Sequence, residues 1–349
     1  MEKIILDQLC TQENFNEDAY LASNPDVADA LRDGLVSSAR EHFDCFGKEE
    51  GRRQRSTSGL QELQVRKIHE IEPLLNLNCP HVRRDVKYDF LTEALREETG
   101  ISTTDAVSCN EYDLFVEELI SQFPDGMILD CGAGKRPVYY SNVLNYEIVD
   151  YDSTDIIGVG EVLPFKSNSF DAVISIAVLE HVRNPFACAA EIARVLKPGG
   201  KLICAVPFLQ PEHGYPHHYY NMAPQGLRAL FDRQLQIDDH KVIGSLLPIW
   251  SLTWFLNSWA AGLTGAALEE FKALRISDLL TSPQELLTRD WVRELPVEKN
   301  FELASATLLF AHKSLTQGAG FQLTSSSVVI RAIRRMRSFG TMLKFLIWP

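Results

Sequence analysis

The stretch MILDCGAGKRPVYY, residues 127–140, carries the first pattern with chemical potential. The apolar run Met127–Leu129 is typical of a buried strand, and Asp130, Gly132 and Gly134 follow it directly. Glycine permits a tight turn and a close approach of the backbone to another group. The pattern therefore predicts either a ligand-binding turn at the end of a strand or a packing turn.

Acidic residues follow at the end of the next apolar run, YEIVD, whose last residue is Asp150. One carboxylate can accept hydrogen bonds from two neighbouring hydroxyl groups, such as those of a ribose. The position at a strand end favours Asp150 as a sugar contact over Asp152. The alternative is that Asp150 caps the strand and Asp152 contacts the sugar.

Histidines follow two later apolar runs. His181 lies in LEHV, and His213, His217 and His218 lie in PEHGYPHHYY. A histidine titrates near neutrality and can take a proton from a hydroxyl group, so His181, His213 and His217 are candidate bases. They could equally brace a helix or pack a loop. His213, His217 and His218 could also ligate a metal, but no carboxylate or thiolate at a suitable spacing completes the set, and no metal site is predicted.

Strands and helices alternate around these residues, over positions 126–313. The predicted strands are MILD, YEIVD, DIIGVG, FDAVISI and KLICAVPF, with the helix FACAAEIARVL before the last one. This alternation predicts an α/β fold with a doubly wound, mostly parallel sheet. In such sheets ligands bind beyond the carboxyl ends of the strands, where the glycine-rich turn and the histidines lie.

The order of motifs LPF, SFD, LEHV and EIARVLKPGG in residues 161–208 resembles the class I S-adenosylmethionine-dependent methyltransferases, of the type 11 kind. With the glycine-rich turn, the resemblance covers residues 126–232. It implies a seven-stranded Rossmann-like sheet and S-adenosylmethionine as cofactor. A nicotinamide dinucleotide would favour GxGxxG, and the third glycine is absent here.

The resemblance also implies roles for single residues. The turn would lie along the methionine part of the cofactor, Asp130 would orient its amino group and Asp150 would bind both ribose hydroxyls. Glu161 and Val162 would lie beside the adenine, and Ile176 would pack on the cofactor. The implied cofactor-binding set is Asp130, Gly132, Ala133, Gly134, Asp150, Glu161, Val162 and Ile176.

The chain departs from the family pattern in two ways. Val159 stands where many relatives have an acidic residue that contacts the adenine, which leaves that contact to the backbone, Asp155 or Glu161. The links between the first three strands are also short, so no helix is expected between the second and third.

Three other regions flank this domain. Residues 1–57 are predicted to form an all-helical module, because Asn24-Pro25 marks a helix start. Within them, residues 15–53 contain the pattern YLxxNPDV…HF…G…EGR and resemble a module found at the ends of bacterial glycosyltransferases and methyltransferases. Residues 58–125 are predicted to form a helical connector that packs on the catalytic domain. Residues 314–349 are predicted to form a linker and a basic amphipathic tail, whose segment 328–349 could contact an anionic membrane or the acidic body of the protein.

The composition limits the partners. The net charge of −13 among 349 residues argues against a nucleic-acid partner. Seven scattered cysteines favour a cytoplasmic protein, with peripheral contact at the inner face of the membrane if the tail binds there. Residues 242–268 carry no charged side chain and predict either an apolar acceptor pocket or lid, or a buried helix pair.

The sequence thus predicts a methyltransferase that acts on a small-molecule, glycan or glycolipid acceptor, at oxygen. A noncatalytic cofactor-binding scaffold is the first alternative. A NAD-dependent oxidoreductase or epimerase is the second, and the missing third glycine argues against it. The oligomeric state is left open.

Overall fold

The computed structural model describes residues 1–104, 108, 111–214, 216–305 and 307. Along these residues the strands are β1 Lys3–Ile5, β2 Asp7–Leu9, β3 Arg53–Arg55, β4 Val82–Arg84, β5 Lys87–Asp89, β6 Ile128–Cys131, β7 Val138–Tyr140, β8 Val143–Glu147, β9 Ile156–Ile157, β10 Phe170–Ile176 and β11 Leu196–Ala205.

The helices begin in the N-terminal region and become the dominant element after β11. They are α1 Glu17–Ser23, α2 Pro25–Arg32, α3 Ala39–His42, α4 Leu60–Ile71, α5 Glu93–Thr99, α6 Leu114–Gln122, α7 Pro185–Val195, α8 Pro224–Phe231, α9 Pro248–Ala261, α10 Gly265–Lys272, α11 Ile276–Leu279, α12 Pro283–Leu286, α13 Asp290–Arg293 and α14 Val297–Glu302.

The main sheet has seven strands in the order β11-β10-β6-β8-β9-β5-β4. All neighbours pair in parallel except β4 and β5, which form an antiparallel hairpin. This sheet confirms the predicted doubly wound, mostly parallel fold. The carboxyl ends of β6, β8 and β10 lie side by side, which brings the segments that follow them to one edge.

Two strands of this sheet come from residues 58–125, which the sequence predicts as a helical connector. β5 pairs in parallel with β9, with Tyr88 opposite Ile156, and β4 forms the outer edge. The region also contains α4, α5 and α6. The hairpin was missed because strands of three residues are too short to show a period of two.

The connections between the central strands are short, as expected. After β6 the chain enters β7, which pairs antiparallel with β1, and β8 runs to β9 through an irregular segment at residues 148–155. No helix occurs in either connection, both of which the structure describes in full. β8 ends at Glu147, so the prediction that Asp150 ends the second strand is wrong by three residues.

Helices cover both faces of the sheet. One face packs Leu129, Leu144 and Val173 against α4 and α7, and the other packs neighbouring strand residues against α6. This division follows from the alternation of side chains along each strand. α7 buries Cys188, Ala189, Ile192 and Val195 against the sheet and exposes Phe186.

The N-terminal region contains the predicted helices. α1, α2 and α3 pack around Tyr20, Val27 and Phe43, and α2 begins at Pro25. The region is not all-helical, because β2 and β3 form an antiparallel pair beside the helices. It also joins the larger α/β body, since β1 pairs with β7 and Arg55 forms an ion pair with Asp152.

The chain divides into a compact unit at residues 1–304 and a second unit at residues 305–349. The predicted amphipathic tail lies outside the described residues. Within the described part, residues 242–268 form the helix pair α9 and α10. None of the helices there has the length and apolar character needed to cross a bilayer.

Candidate active site

The glycine-rich turn after β6 requires glycine at two positions. Gly132 has φ +86°, and a Cβ atom there would lie 2.4 Å from Cγ2 of Val178. Gly134 has φ +65°, and its Cβ atom would lie 2.9 Å from the carbonyl oxygen of Ser108. The turn is therefore packed closely against the loop after β10 and against Ser108.

The backbone donors of this turn are used within the protein. The N–H groups of Gly132 and Ala133 both donate to the carbonyl oxygen of Tyr146, at 2.8 and 3.1 Å. The N–H group of Gly134 donates to Oε2 of Glu147 at 2.7 Å. A ligand at this turn must therefore be held by other groups, above all by acceptors at the strand ends.

Asp130 supplies one such acceptor. Its Oδ2 atom accepts hydrogen bonds from the hydroxyl of Tyr112 and from Nε of Arg136, the latter at 2.9 Å. Its Oδ1 atom is buried and has no hydrogen-bond partner among the described residues. A buried carboxylate oxygen without a partner is costly, and a ligand that donates a hydrogen bond there would remove that cost.

Glu147 supplies the second acceptor, and sequence reasoning missed it. It is the last residue of β8, directly beside the glycine-rich turn, and its Oε1 atom accepts the N–H of Ile148 at 2.8 Å. Burial of the carboxyl group raises the pKa of Glu147, and the charge of Asp130 raises it further. The register of β8 against β6 is the signal that identifies Glu147, and the sequence does not contain it.

The three aspartates after β8 have other partners. Oδ1 of Asp150 accepts from Nζ of Lys87 at 2.7 Å, and about half of the Asp150 side chain is exposed. Asp152 binds Arg55. Asp155 is fully buried and forms an ion pair with Lys67 at 3.0 Å, which makes it a structural residue.

The predicted adenine contacts lie between β9 and α7. Oε1 of Glu161 accepts the N–H groups of Arg183 and Asn184, at 3.0 and 3.4 Å, and burial raises the pKa of Glu161. Val162 is 43% exposed, whereas Val159 is buried. Ile176, at the end of β10, packs against the cluster that contains α6.

A single loop after β10 connects the glycine-rich turn to the histidines. Val178 contacts Gly132, and His181 lies against Gly214, whose Cβ atom would be 2.1 Å from Cε1 of His181. Ala177, at the start of the loop, has φ +55°, a left-handed conformation that is strained for alanine. The fold therefore places the turn and the histidines beside each other.

The three predicted catalytic histidines come together, with His218 as a fourth. The ring centroids of His181 and His213 are 5.4 Å apart, and those of His213 and His218 are 4.3 Å apart. Nδ1 of His181 bonds to the carbonyl oxygen of His217 at 2.7 Å. The ring centroids of His213 and Trp254 are 4.9 Å apart, so α9 packs against the histidine cluster.

A cavity of about 430 Å³ opens beside these rings. It is lined by Glu212, His213, Gly214, Pro216, His217, His218, Tyr219 and Glu302. Its polar and aromatic lining suits a small acceptor that makes hydrogen bonds.

Glu180 is the second residue that sequence reasoning missed. It is fully buried, and neither carboxylate oxygen has a hydrogen-bond partner among the described residues. Burial raises its pKa to about 7. Its Oε1 atom lies 3.8 Å from Nε2 of His181, whose pKa is lowered by burial and by the neighbouring His213 and His218.

Residues 138–204, from β7 to β11, match the family described as "Methyltransferase domain". The match begins at the start of β7 and ends in β11, and it includes the loop that bears Glu180 and His181. Residues 138–204 are thus part of a methyltransferase domain. The resemblance read from the sequence motifs is thereby confirmed for this domain.

Two curated relatives show how far the similarity extends. A tRNA U34 carboxymethyltransferase of Cellvibrio japonicus is 28% identical over 141 residues, which cover 40% of this chain and 36% of the relative. A demethylmenaquinone methyltransferase of Corynebacterium glutamicum is 38% identical over 86 residues, which cover 23% and 37%. The chain thus spans little more than a third of the length of either relative.

Among solved structures, an S-adenosylmethionine-dependent methyltransferase of Thermotoga maritima, described as a possible histamine N-methyltransferase, is 19% identical. The similarity covers 34% of this chain and 67% of that one, with a TM-score of 0.27.

A methyltransferase domain of this class takes S-adenosylmethionine as its cofactor, and the strand ends fit such a ligand in two respects. The unpartnered Oδ1 atom of Asp130 suits the cofactor's ammonium group. Glu147 offers a carboxylate with remaining lone pairs to neighbouring hydroxyl groups.

Proposed function

We propose that this chain transfers the methyl group of S-adenosylmethionine to an oxygen atom of a small-molecule, glycan or glycolipid acceptor. The observation that carries the proposal is the methyltransferase-domain match over residues 138–204, which includes the end of β8 and the loop that reaches the histidines. The cofactor supplies an activated methyl group, and the protein must bind and orient both reactants.

The cofactor would lie across the ends of β6 and β8. In this proposal Asp130 accepts from its ammonium group, and the turn Gly132–Gly134 lies along its methionine part. Glu147 takes the ribose hydroxyls, because it ends β8 and its carboxylate lies beside the glycine-rich turn. Asp150 was predicted for that role, and its ion pair with Lys87 makes it the weaker candidate.

The remaining predicted cofactor contacts stay part of the proposal. Glu161 and Val162 would border the adenine, and Ile176 would pack near the cofactor at the end of β10. Asp155 is removed from the candidates for the adenine contact, since its carboxylate is buried with Lys67.

The acceptor would occupy the cavity beside His213. An oxygen acceptor must lose its hydroxyl proton, and His181, His213 or His217 would accept it. A neutral imidazole can do so, and the pKa of His181 is lowered, which keeps that ring neutral at physiological pH. Trp254 would contact an apolar part of the acceptor.

Calorimetric titration of the purified protein with S-adenosylmethionine, S-adenosylhomocysteine and NAD tests the cofactor part. We expect the two adenosyl ligands to bind and NAD not to bind. Binding of NAD alone, or of none of the three, would refute the proposal.

A panel of hydroxylated acceptors, with formation of S-adenosylhomocysteine as the readout, tests the transfer. Cofactor binding without turnover across phenols, sugars and glycolipids would favour the noncatalytic scaffold instead.

A further inference from the structure

Three residues around the loop after β10 bring metal-ligand atoms together. One ligand atom each of Glu180, His181 and His213 lies within 4.8 Å of the other two. Ligand atoms around a tetrahedral ion at about 2.0–2.1 Å lie roughly 3.3 Å apart. The 3.8 Å between Oε1 of Glu180 and Nε2 of His181 is close to that spacing.

Hydrogen bonds fix which ring nitrogen of each histidine is free. Nδ1 of His181 bonds to the carbonyl oxygen of His217 at 2.7 Å, and Nδ1 of His213 bonds to that of Pro211 at 2.8 Å. A carbonyl oxygen only accepts, so both Nδ1 atoms carry the hydrogen and both Nε2 atoms carry a lone pair. Histidines that ligate metals are oriented in this way by their second nitrogen.

Glu180 is the third potential ligand, and it would supply the negative charge that a cation requires. Its carboxylate is buried, and its two oxygens lack partners among the described residues. A buried carboxylate without a hydrogen bond or counter-ion is costly, whereas a bound cation would compensate its charge. His218 is not a ligand, because its Nδ1 accepts the N–H of His213 and its Nε2 faces the carbonyl oxygen of Tyr220.

We propose that Glu180, His181 and His213 form a binding site for one divalent transition metal, and that the donor set favours Zn²⁺. Two histidine nitrogens and one carboxylate are a ligand set of zinc sites that keep a fourth position open. His213 also lines the 430 Å³ cavity, so a metal ion bound here would lie beside the space proposed for the acceptor.

The site goes beyond the proposed methyl transfer and does not depend on it. It does compete with one part of that proposal, since Nε2 of His181 cannot hold a metal and accept a proton at the same time. Metal binding would therefore assign His181 and His213 as ligands and leave His217 as the candidate base.

The experiment uses the full-length chain without a histidine tag, freed of metal by a chelator. It is titrated with ZnCl₂ by calorimetry and with CoCl₂ by visible spectroscopy, because tetrahedral Co²⁺ absorbs strongly in the visible range. We expect one equivalent of either ion to bind. Glu180→Gln and His213→Gln should each weaken binding by more than about 100-fold, because loss of a second-shell partner alone costs about 10–100-fold.

Matched controls are Glu212→Gln, a carboxylate on the cavity wall, and His240→Gln, an exposed histidine. Both should bind metal as the unaltered protein does. Thermal unfolding of the metal-free variants checks the fold, and Glu180→Gln should be no less stable, since it removes a buried charge. The proposal is refuted by the absence of stoichiometric binding, by full binding in Glu180→Gln and His213→Gln, or by equal loss in the two controls.

Discussion

Oε2 of Glu147 accepts a hydrogen bond from the N–H of Gly134 at 2.7 Å, which joins the end of β8 to the glycine-rich turn after β6. The two strand ends are adjacent because β6 and β8 pair in parallel, with Cys131 opposite Tyr146. A ligand lying across the turn would therefore meet the carboxylate of Glu147 before it met Asp150.

Glu147→Gln is expected to weaken the binding of S-adenosylhomocysteine by about 10–100-fold. The amide keeps the shape of the side chain but removes the charge, and a hydrogen bond to a charged group contributes about 1.5–3 kcal/mol. Calorimetric titration measures the change. Asp150→Asn is the matched control, with an expected change of less than about threefold because Asp150 is half exposed and paired with Lys87. The reverse order of effects would assign the ribose contact to Asp150.

Cofactor affinity is expected to decrease as the pH falls through the raised pKa of Glu147. The ribose hydroxyls donate to the carboxylate, so protonation of the free protein opposes binding. Because the pKa lies above the usual value of 4.5, the decrease begins at a higher pH than for an ordinary glutamate. The charged groups that act on the carboxyl are Asp130, which raises the pKa, and the nearby Arg136. Titrations from about pH 4 upwards, beginning near the usual pKa of a glutamate, with unaltered protein and Glu147→Gln check this, because the variant should lack the dependence.

The raised pKa of Glu147 also makes the stability of the protein depend on pH. A carboxyl group whose pKa is raised in the folded state stabilises the protein fully below the unfolded value and loses that contribution as the pH rises through the folded value. The free energy of unfolding of the unaltered protein, relative to Glu147→Gln, should therefore fall as the pH rises above 4.5. A difference that rises with pH would contradict the enclosed position of this carboxyl.

The central strands could be predicted from the sequence because most of their residues are apolar, and many are β-branched or aromatic. FDAVISI was predicted as a strand, and β10 occupies the same residues, Phe170–Ile176. The β4–β5 hairpin could not be predicted, since its short strands, VRR and KYD, are polar and gain their stability from pairing with β9.

The candidate site was predictable only in part, for a similar reason. The segments that bear Asp130 and His181 follow strands, so their meeting at one edge follows from the parallel sheet. Glu180 is next to His181 in the sequence, but it meets His213 only because the loop after β10 packs against the loop after β11. Likewise, the choice of Glu147 over Asp150 depends on strand register.

Gly132→Ala is expected to destabilise the protein by at least about 2 kcal/mol. The residue has φ +86°, a region that costs an L-residue about 1–2 kcal/mol, and the new methyl group would lie 2.4 Å from Val178. Chemical denaturation measures the loss. Gly199→Ala is the control, because Gly199 has φ +78° but no atom within 4 Å of the added Cβ, so only the backbone cost applies.

Val178→Ala in the Gly132→Ala background should restore part of the stability, since it removes the methyl groups nearest the new Cβ. If Gly132→Ala cost no more than Gly199→Ala, the close contact between the turn and the loop after β10 would be contradicted.

Lys67→Met is expected to destabilise the protein by about 3–5 kcal/mol, because removing one partner of a buried ion pair leaves the other charge uncompensated. Nζ of Lys67 lies 3.0 Å from Oδ2 of Asp155, and both side chains are fully buried. Nζ also donates to the carbonyl oxygen of Val143 at 2.6 Å, so this one ammonium group joins α4 to β8. Urea unfolding, monitored by circular dichroism, measures the change.

Arg66→Met provides the control on the same helix. Arg66 forms an exposed ion pair with Glu2, and solvent screens such a pair strongly, so this variant should unfold close to the unaltered protein. The double variant Lys67→Met/Asp155→Asn also removes the unpaired carboxylate of Asp155, so much of the lost stability should return. If Lys67→Met and Arg66→Met destabilised the protein equally, the ammonium group of Lys67 would not be what joins α4 to β8.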